Sequence, residues 1–227
     1  MNKILSIVIP VFNKFAFTKS CLNDLSKLPN DHEIIVVDNA STDETNKELA
    51  GSKEIVYIKN YVNEGFAKGC NKGYYNSSAS NILFLNNDIR VKSNHDNWTK
   101  VLIDNCNDAL VGPTMGQLDK DLNFVRESNG YLDGNSYMSG WCIASSKDIW
   151  NKLNISNNNE IFSEEFFCYF EDTDLSFRAK ELKIPFKVVN IPVVHFGKIS
   201  SQQLNTHILY KNARNIFLKK WKKLIKK

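Results

Sequence analysis

Runs of apolar, largely β-branched residues recur through the first half of this chain, at residues 4–11, 33–37, 55–58 and 82–85. Helical patterns or polar turns separate them. Near-continuous apolar runs of this kind read as strands covered on both faces, and their alternation with helices predicts an α/β fold with a parallel, doubly wound sheet. Right-handed crossovers then bring every strand's carboxyl end to one rim, which is where open α/β sheets bind ligands. Two runs arrive there with an acid: the second ends at Asp38, and the fourth leads into Asn86-Asn87-Asp88. A carboxylate beside amides is hard oxygen chemistry, suited to Mg2+ or Mn2+ carrying a phosphorylated ligand. The same residue types also close ordinary turns by bonding their own backbone, so a purely structural role stays open for both acids.

The connections fit this frame. A helical pattern covers residues 15–28, and a polar turn at 39–43 offers Ser41 or Thr42 as a helix cap. A glycine-spaced turn at 63–73 runs into another helix. The second half is less regular. It reads as a strand end at 110–113, hairpin character over 117–134, a strand at 138–145, and a helix at 147–153 before a loop at 154–159. A helix at 174–182 and a strand at 186–194, broken by Pro192, then lead to His195; from residue 203 the pattern is helical.

Bulk properties narrow the function. A chain of 227 residues with 42% hydrophobic and 24% charged content is that of an ordinary soluble domain. The net charge of +4 is concentrated after residue 211, leaving the body near neutral and arguing against nucleic-acid binding. Cys21, Cys70, Cys106, Cys142 and Cys168 are scattered with no C-x-x-C pair, which reads as reduced thiols rather than a disulfide framework or zinc site. No apolar run approaches a membrane span and the first strand is too short for a signal peptide, so a cytoplasmic location is expected. Trp221, Leu224 and Ile225 among lysines read either as a basic amphipathic end lying on an anionic bilayer or as a solvated helix end whose dipole favours lysine.

Two further stretches carry chemistry. Residues 162–174 set acids among aromatics, surroundings that raise a carboxylate's pKa and make it a useful base. They also read as a helix start capped by Asp172 or Thr173, and the two readings agree if Glu171 or Asp172 faces the cleft. His195, with Gly197 and Ser200 close by, is either a structural histidine or a ligand. The turn after the first strand is Pro10-Val11-Phe12-Asn13, without the G-x-G-x-x-G of a dinucleotide fold, so a Rossmann oxidoreductase is excluded. A nucleotidyltransferase would want a Gly-rich basic loop at the same place. A non-catalytic nucleotide-sugar-binding module is the other rival.

Six segments, in this order, make the chain resemble a family 2, inverting glycosyltransferase of the GT-A fold, and in particular its rhamnosyltransferase-like branch. They are residues 6–13, 36–43, 63–67, 85–88, 170–175 and 195–197. The resemblance implies one domain: residues 1–110 as the nucleotide-sugar half, 111–202 as the acceptor half and 203–227 as a basic C-terminal helix. It also implies a nucleoside diphosphate sugar donor, UDP- or dTDP-linked, and a glycan or lipid-linked acceptor. By position it makes Pro10, Phe12 and Asn13 lining of the nucleoside pocket and gives Asp38 the base or ribose. Asn63, Gly65, Phe66, Asn71 and Asn87 would shape the donor site, and Ser139, Gly140 and Trp141 the segment facing donor and acceptor. Asp88 matches the last acid of the metal motif, with His195 completing a Mn2+ or Mg2+ site; Asp172 matches the catalytic base, with Glu171 beside it. The motif's first acid is Asn86 here, leaving Asp88 as its one charged ligand.

Overall fold

A computed structural model describes residues 3–92, 97–155, 160–197 and 205–225, apart from the side chains of residues 223–225. Ser200, the end of the 154–159 loop and the side chains of Leu224 and Ile225 lie outside it. From the N-terminus the elements are β1 (Leu5–Val11), α1 (Phe15–Leu25), β2 (His32–Asp38), α2 (Thr45–Leu49), β3 (Val56–Lys59) and α3 (Phe66–Tyr75). Then come β4 (Asn81–Leu85), β5 (Ile89–Val91), α4 (Trp98–Ile103), β6 (Leu110–Gly112), β7 (Met115–Leu118), β8 (Phe124–Ser128) and β9 (Ser136–Met138). The chain closes with β10 (Cys142–Ser146), α5 (Lys147–Leu153), α6 (Glu171–Glu181), β11 (Phe186–Val188), β12 (Val193–His195) and α7 (Thr206–Ile225).

The central sheet has seven strands in the order β11-β6-β10-β4-β1-β2-β3. β1 pairs in parallel with β2 and β4, and β2 with β3, as the apolar runs predict. Every residue of β1 is buried, so the sheet is covered on both faces. Apolar clusters pack on either side, one around α1 and α4, the other around α3, α5 and α6. A third, under α7, joins Phe166, Phe170, Phe177, Phe217 and Trp221.

Four expectations need correction. The strand expected at residues 138–145 is two strands: β9 joins β7 and β8 in a small separate sheet, while β10 inserts antiparallel between β4 and β6. The strand expected at 186–194 is likewise split, because β11 pairs with β6 and β12 turns away to pair with β5. Neither Ser41 nor Thr42 caps α2; Asp43 Oδ1 accepts from Thr45 N at 3.1 Å instead, and Ser41 Oγ accepts from Asn13 N at 2.7 Å. Trp221 is buried against Phe177 and Phe217, so it is not free to enter a bilayer.

Candidate functional site

The short β5–β12 pair assembles the first half of the site. β4 delivers Asn86-Asn87-Asp88 at the sheet's carboxyl rim, and β5 begins one residue later with Ile89 opposite His195. Phe196 N donates to the Asp88 carbonyl at 2.9 Å, locking the two segments. The side chains follow: His195 Nε2 lies 3.1 Å from Asp88 Oδ1 and 3.2 Å from Asn86 Nδ2. One ring nitrogen cannot accept from an amide and donate to a carboxylate at once, so the imidazole's protonation decides which contact holds. Trp141 stacks on the ring with centroids 4.7 Å apart and planes at 11°.

Asp88, His195 and the Asn86 amide together offer one carboxylate, one imidazole and one amide oxygen. Among the described residues no three His, Cys, Asp or Glu side chains surround a single point. Mg2+ and Mn2+ commonly take only one or two carboxylates and complete their shell with substrate phosphate and water, so this set fits a cation that shares a diphosphate.

The second half comes from the N-terminus of α6. That helix begins at Glu171, earlier than the sequence pattern suggests, and is preceded by Tyr169 and Phe170 with φ of 74° and 65°. Two successive left-handed non-glycine residues cost of order 1 kcal/mol or more each. The expected cap by Asp172 or Thr173 does not form: Phe170 is the N-cap residue, and Asp172 lies within the first turn. Its Oδ1 accepts from Thr173 N at 2.7 Å and its Oδ2 from Gly140 N at 2.9 Å. The close pass requires glycine, because a Cβ on residue 140 would sit 2.8 Å from the Asp172 Cβ.

The two acids sit in different surroundings. Glu171 is 8% exposed and its Oε2 makes no hydrogen bond among the described residues. Burial first, and then the neighbouring Asp172 charge, push its carboxyl up to about 8. Burial also raises Asp172, against the opposing hydrogen bonds from Gly140 and Thr173. Glu171 therefore holds its proton at neutral pH, while Asp172, hydrogen-bonded by Gly140 and Thr173, is the readier of the two to ionise.

Both halves open on one cavity of about 1210 Å³. Its wall includes Pro10, Phe12, Asn63, Gly65, Phe66, Asn86, Asn87, Asp88, Ser139, Gly140, Trp141, Glu171, Asp172 and His195. Gly65 (φ +88°) lets the start of α3 approach the loop before α6, where Phe66 N donates to the Phe167 carbonyl at 2.7 Å.

Three residues expected at the donor site are absent from that wall. Asp38 is fully buried, with Ser41 N on Oδ1 at 2.8 Å and the Tyr57 hydroxyl on Oδ2 at 2.5 Å, so it holds its own loop. Asn13 Oδ1 accepts from Thr42 N at 2.7 Å and braces the same loop. Asn71 clasps a distant segment, donating to the Phe162 carbonyl at 2.8 Å and accepting from Ile161 N and Phe162 N at 3.0 and 2.9 Å. Asn87 is on the wall, but its amide is engaged, donating to Thr18 Oγ1 at 2.8 Å. Sequence reasoning missed Asn39, Glu127, Tyr137, Tyr169, His207 and Tyr210, which also line the cavity. Tyr169 belongs to the aromatic-acidic stretch and Asn39 follows Asp38, so both had a signal; the hairpin and α7 residues had none.

Comparison with known proteins agrees with the geometry. The profile of glycosyl transferase family 2 matches residues 6–169. An "Uncharacterized glycosyltransferase" of Haemophilus influenzae (strain ATCC 51907 / DSM 11121 / KW20 / Rd) is 31% identical over 86 residues, which is 37% of this chain and 29% of that protein. The fold is that of S. aureus TarS 1-349, with a TM-score of 0.58 and 16% identity over 88% of this chain and 62% of that one. It is also that of the mannosyltransferase PcManGT from Pyrobaculum calidifontis, solved with GDP-Man and Mn2+, at a TM-score of 0.53 and 13% identity over 84% of this chain and 58% of that one. The chain thus spans less than two thirds of the length of these relatives. With the family profile covering most of its residues and the GT-A sheet in place, the chain belongs to glycosyl transferase family 2.

Proposed function

We propose that this chain transfers a sugar, with inversion, from a nucleoside diphosphate donor to a hydroxyl of a glycan or lipid-linked acceptor in surface polysaccharide synthesis. The observation that carries the reading is convergence: the Asp88–His195 pair and the Glu171–Asp172 pair, from separate segments of the chain, share one cavity. The donor we favour is UDP- or dTDP-linked, which the UDP complex of TarS 1-349 supports.

In this reading Pro10 and Phe12 wall the nucleoside and Asp88, His195 and Asn86 face the diphosphate. Among the described residues the cavity wall holds no lysine or arginine, so that wall does little to offset a diphosphate's charge. A divalent cation held by Asp88 and His195 would supply that offset, worth several kcal/mol in metal-assisted reactions. Asp172, held by Gly140 N–H, takes the acceptor hydroxyl's proton as that oxygen bonds to the anomeric carbon. The bond from that carbon to the diphosphate breaks on the opposite face, which inverts the centre. Glu171, keeping its own proton, adds no second charge beside the base.

Among the described residues no helix is long and apolar enough to cross a membrane. We place the reaction in the cytoplasm, with the lysine-rich end of α7 beyond Trp221 as the part that would meet an anionic bilayer bearing a lipid-linked acceptor. A second reading, a binding module without turnover, is favoured by Asn86 alone. The buried Glu171 carboxyl, raised beside Asp172 and with its Oε2 unbonded among the described residues, argues for chemistry instead.

Thermal unfolding with nucleotide sugars, with and without Mn2+, tests the proposal. A ligand at a hundred times its Kd stabilises the native state by about 2.7 kcal/mol. We expect a UDP- or dTDP-sugar to raise the melting temperature, more so with Mn2+. No shift with any nucleoside diphosphate sugar would contradict the reading.

A further inference from the structure

Glu127 lies on the exposed strand β8, in the small sheet that is separate from the donor half, yet its carboxylate reaches inward. Its Oε1 accepts from Thr114 Oγ1 at 2.8 Å and from Trp141 Nε1 at 3.2 Å. The same indole N–H lies 2.9 Å from Thr114 Oγ1, so the three groups form a closed triangle at the edge of the cavity. Trp141 itself is 8% exposed and stacks its ring on His195. The Trp141 backbone is fixed independently, since its carbonyl accepts from Asn86 N at 2.8 Å. What the triangle fixes is therefore the rotation of the indole, and with it the plane against which the imidazole rests.

We propose that Glu127 is a positioning residue for the donor site: through Trp141 it sets the plane of His195 and so the aim of Nε2 at Asp88. The inference rests on the donor-site reading of the cavity. Groups that orient a ligand in this way typically matter by about 10- to 100-fold in affinity, although they never touch the ligand. A glutamine retains a carbonyl oxygen at the Oε1 position and preserves the triangle; an alanine leaves the Thr114 hydroxyl without its acceptor and the indole N–H with Thr114 alone, no longer held in orientation by Glu127.

The test compares Glu127→Ala with Glu127→Gln by two measurements. Ring protons stacked on an indole are shifted upfield, so the His195 Cε1 and Cδ2 proton resonances, assigned with His195→Gln, report the stacking without any nucleotide. They should move downfield in Glu127→Ala, toward their positions in Trp141→Ala, and stay in place in Glu127→Gln. Calorimetry with UDP and Mn2+ should show binding about tenfold weaker in Glu127→Ala, at the low end of that range, and restored in Glu127→Gln. Unmoved His195 resonances in Glu127→Ala, or failure of glutamine to restore them, would overturn the proposal. A wild-type chain that binds no UDP with Mn2+ would contradict the donor-site reading instead, and the resonance comparison would still decide the role of Glu127.

Discussion

Asn71 and Glu171 show how differently two buried polar side chains act. Asn71 satisfies its amide fully, tying α3 to residues 161 and 162, so Asn71→Ala leaves those backbone groups unpaired. Each unsatisfied buried group costs about 1–3 kcal/mol. We expect a loss of stability of at least about 2 kcal/mol, read by denaturant unfolding, with nucleotide affinity unchanged once the protein is folded. Glu171 does the reverse, because its folded-state carboxyl titrates higher than in the unfolded chain. Its contribution is fully present below the ordinary glutamate range and is lost as pH rises through about 8. The melting temperature of wild type minus that of Glu171→Gln should therefore fall between pH 5 and pH 9, and a flat difference would contradict the assignment. Asp88, Asp172 and His195, which the structure brings to one cavity wall, were legible as candidates because each stands near a change from apolar to polar residues. Asp38, Asn13 and Asn71 lie off that wall, because a buried polar side chain satisfies itself inside the protein as readily as it faces a ligand.

At the scale of elements, the parallel strands were legible because burial on both faces leaves an unbroken apolar run. The antiparallel insertion of β10 was not, since a run of residues 138–145 looks the same whether it serves one sheet or two. Yet that split is what carries Ser139-Gly140-Trp141 across the cavity to meet Asp172 and His195. The docking of α7 was equally hidden. Asp174, fully buried, receives Arg178 Nε at 3.0 Å, Lys220 Nζ at 2.8 Å and Trp221 Nε1 at 2.8 Å. Trp221→Ala removes a packed ring and an N–H from a buried carboxylate, and large-to-small changes of this kind cost about 3–5 kcal/mol. At about 2–4 °C per kcal/mol for a domain of this size, a clear drop in melting temperature is expected. Deletion from Leu218 onward should be at least as damaging, since it removes Lys220 as well. A melting temperature unchanged in Trp221→Ala would show that α7 does not rely on this contact.

For the whole molecule, the distribution of charge matters more than its sum. The net charge of +4 gathers toward the C-terminus, while the cavity wall, among the described residues, presents Asp88, Glu127, Glu171 and Asp172 with no lysine or arginine. In the proposed reading, a cation shared with the diphosphate offsets the charge on such a wall. Binding of UDP should therefore weaken on chelation with EDTA and in Asp88→Ala, and calorimetry showing equal affinity with and without Mn2+ would count against a shared metal.

In the proposed mechanism one carboxylate on this wall takes the acceptor's proton while another group set holds the donor. Sugar transfer and nucleotide binding measured side by side in Asp172→Asn address it most directly. General-base catalysis contributes about 10²- to 10⁴-fold, so transfer should fall by that factor while stabilisation by UDP with Mn2+ stays as in wild type. Transfer at the wild-type rate in Asp172→Asn would contradict the account.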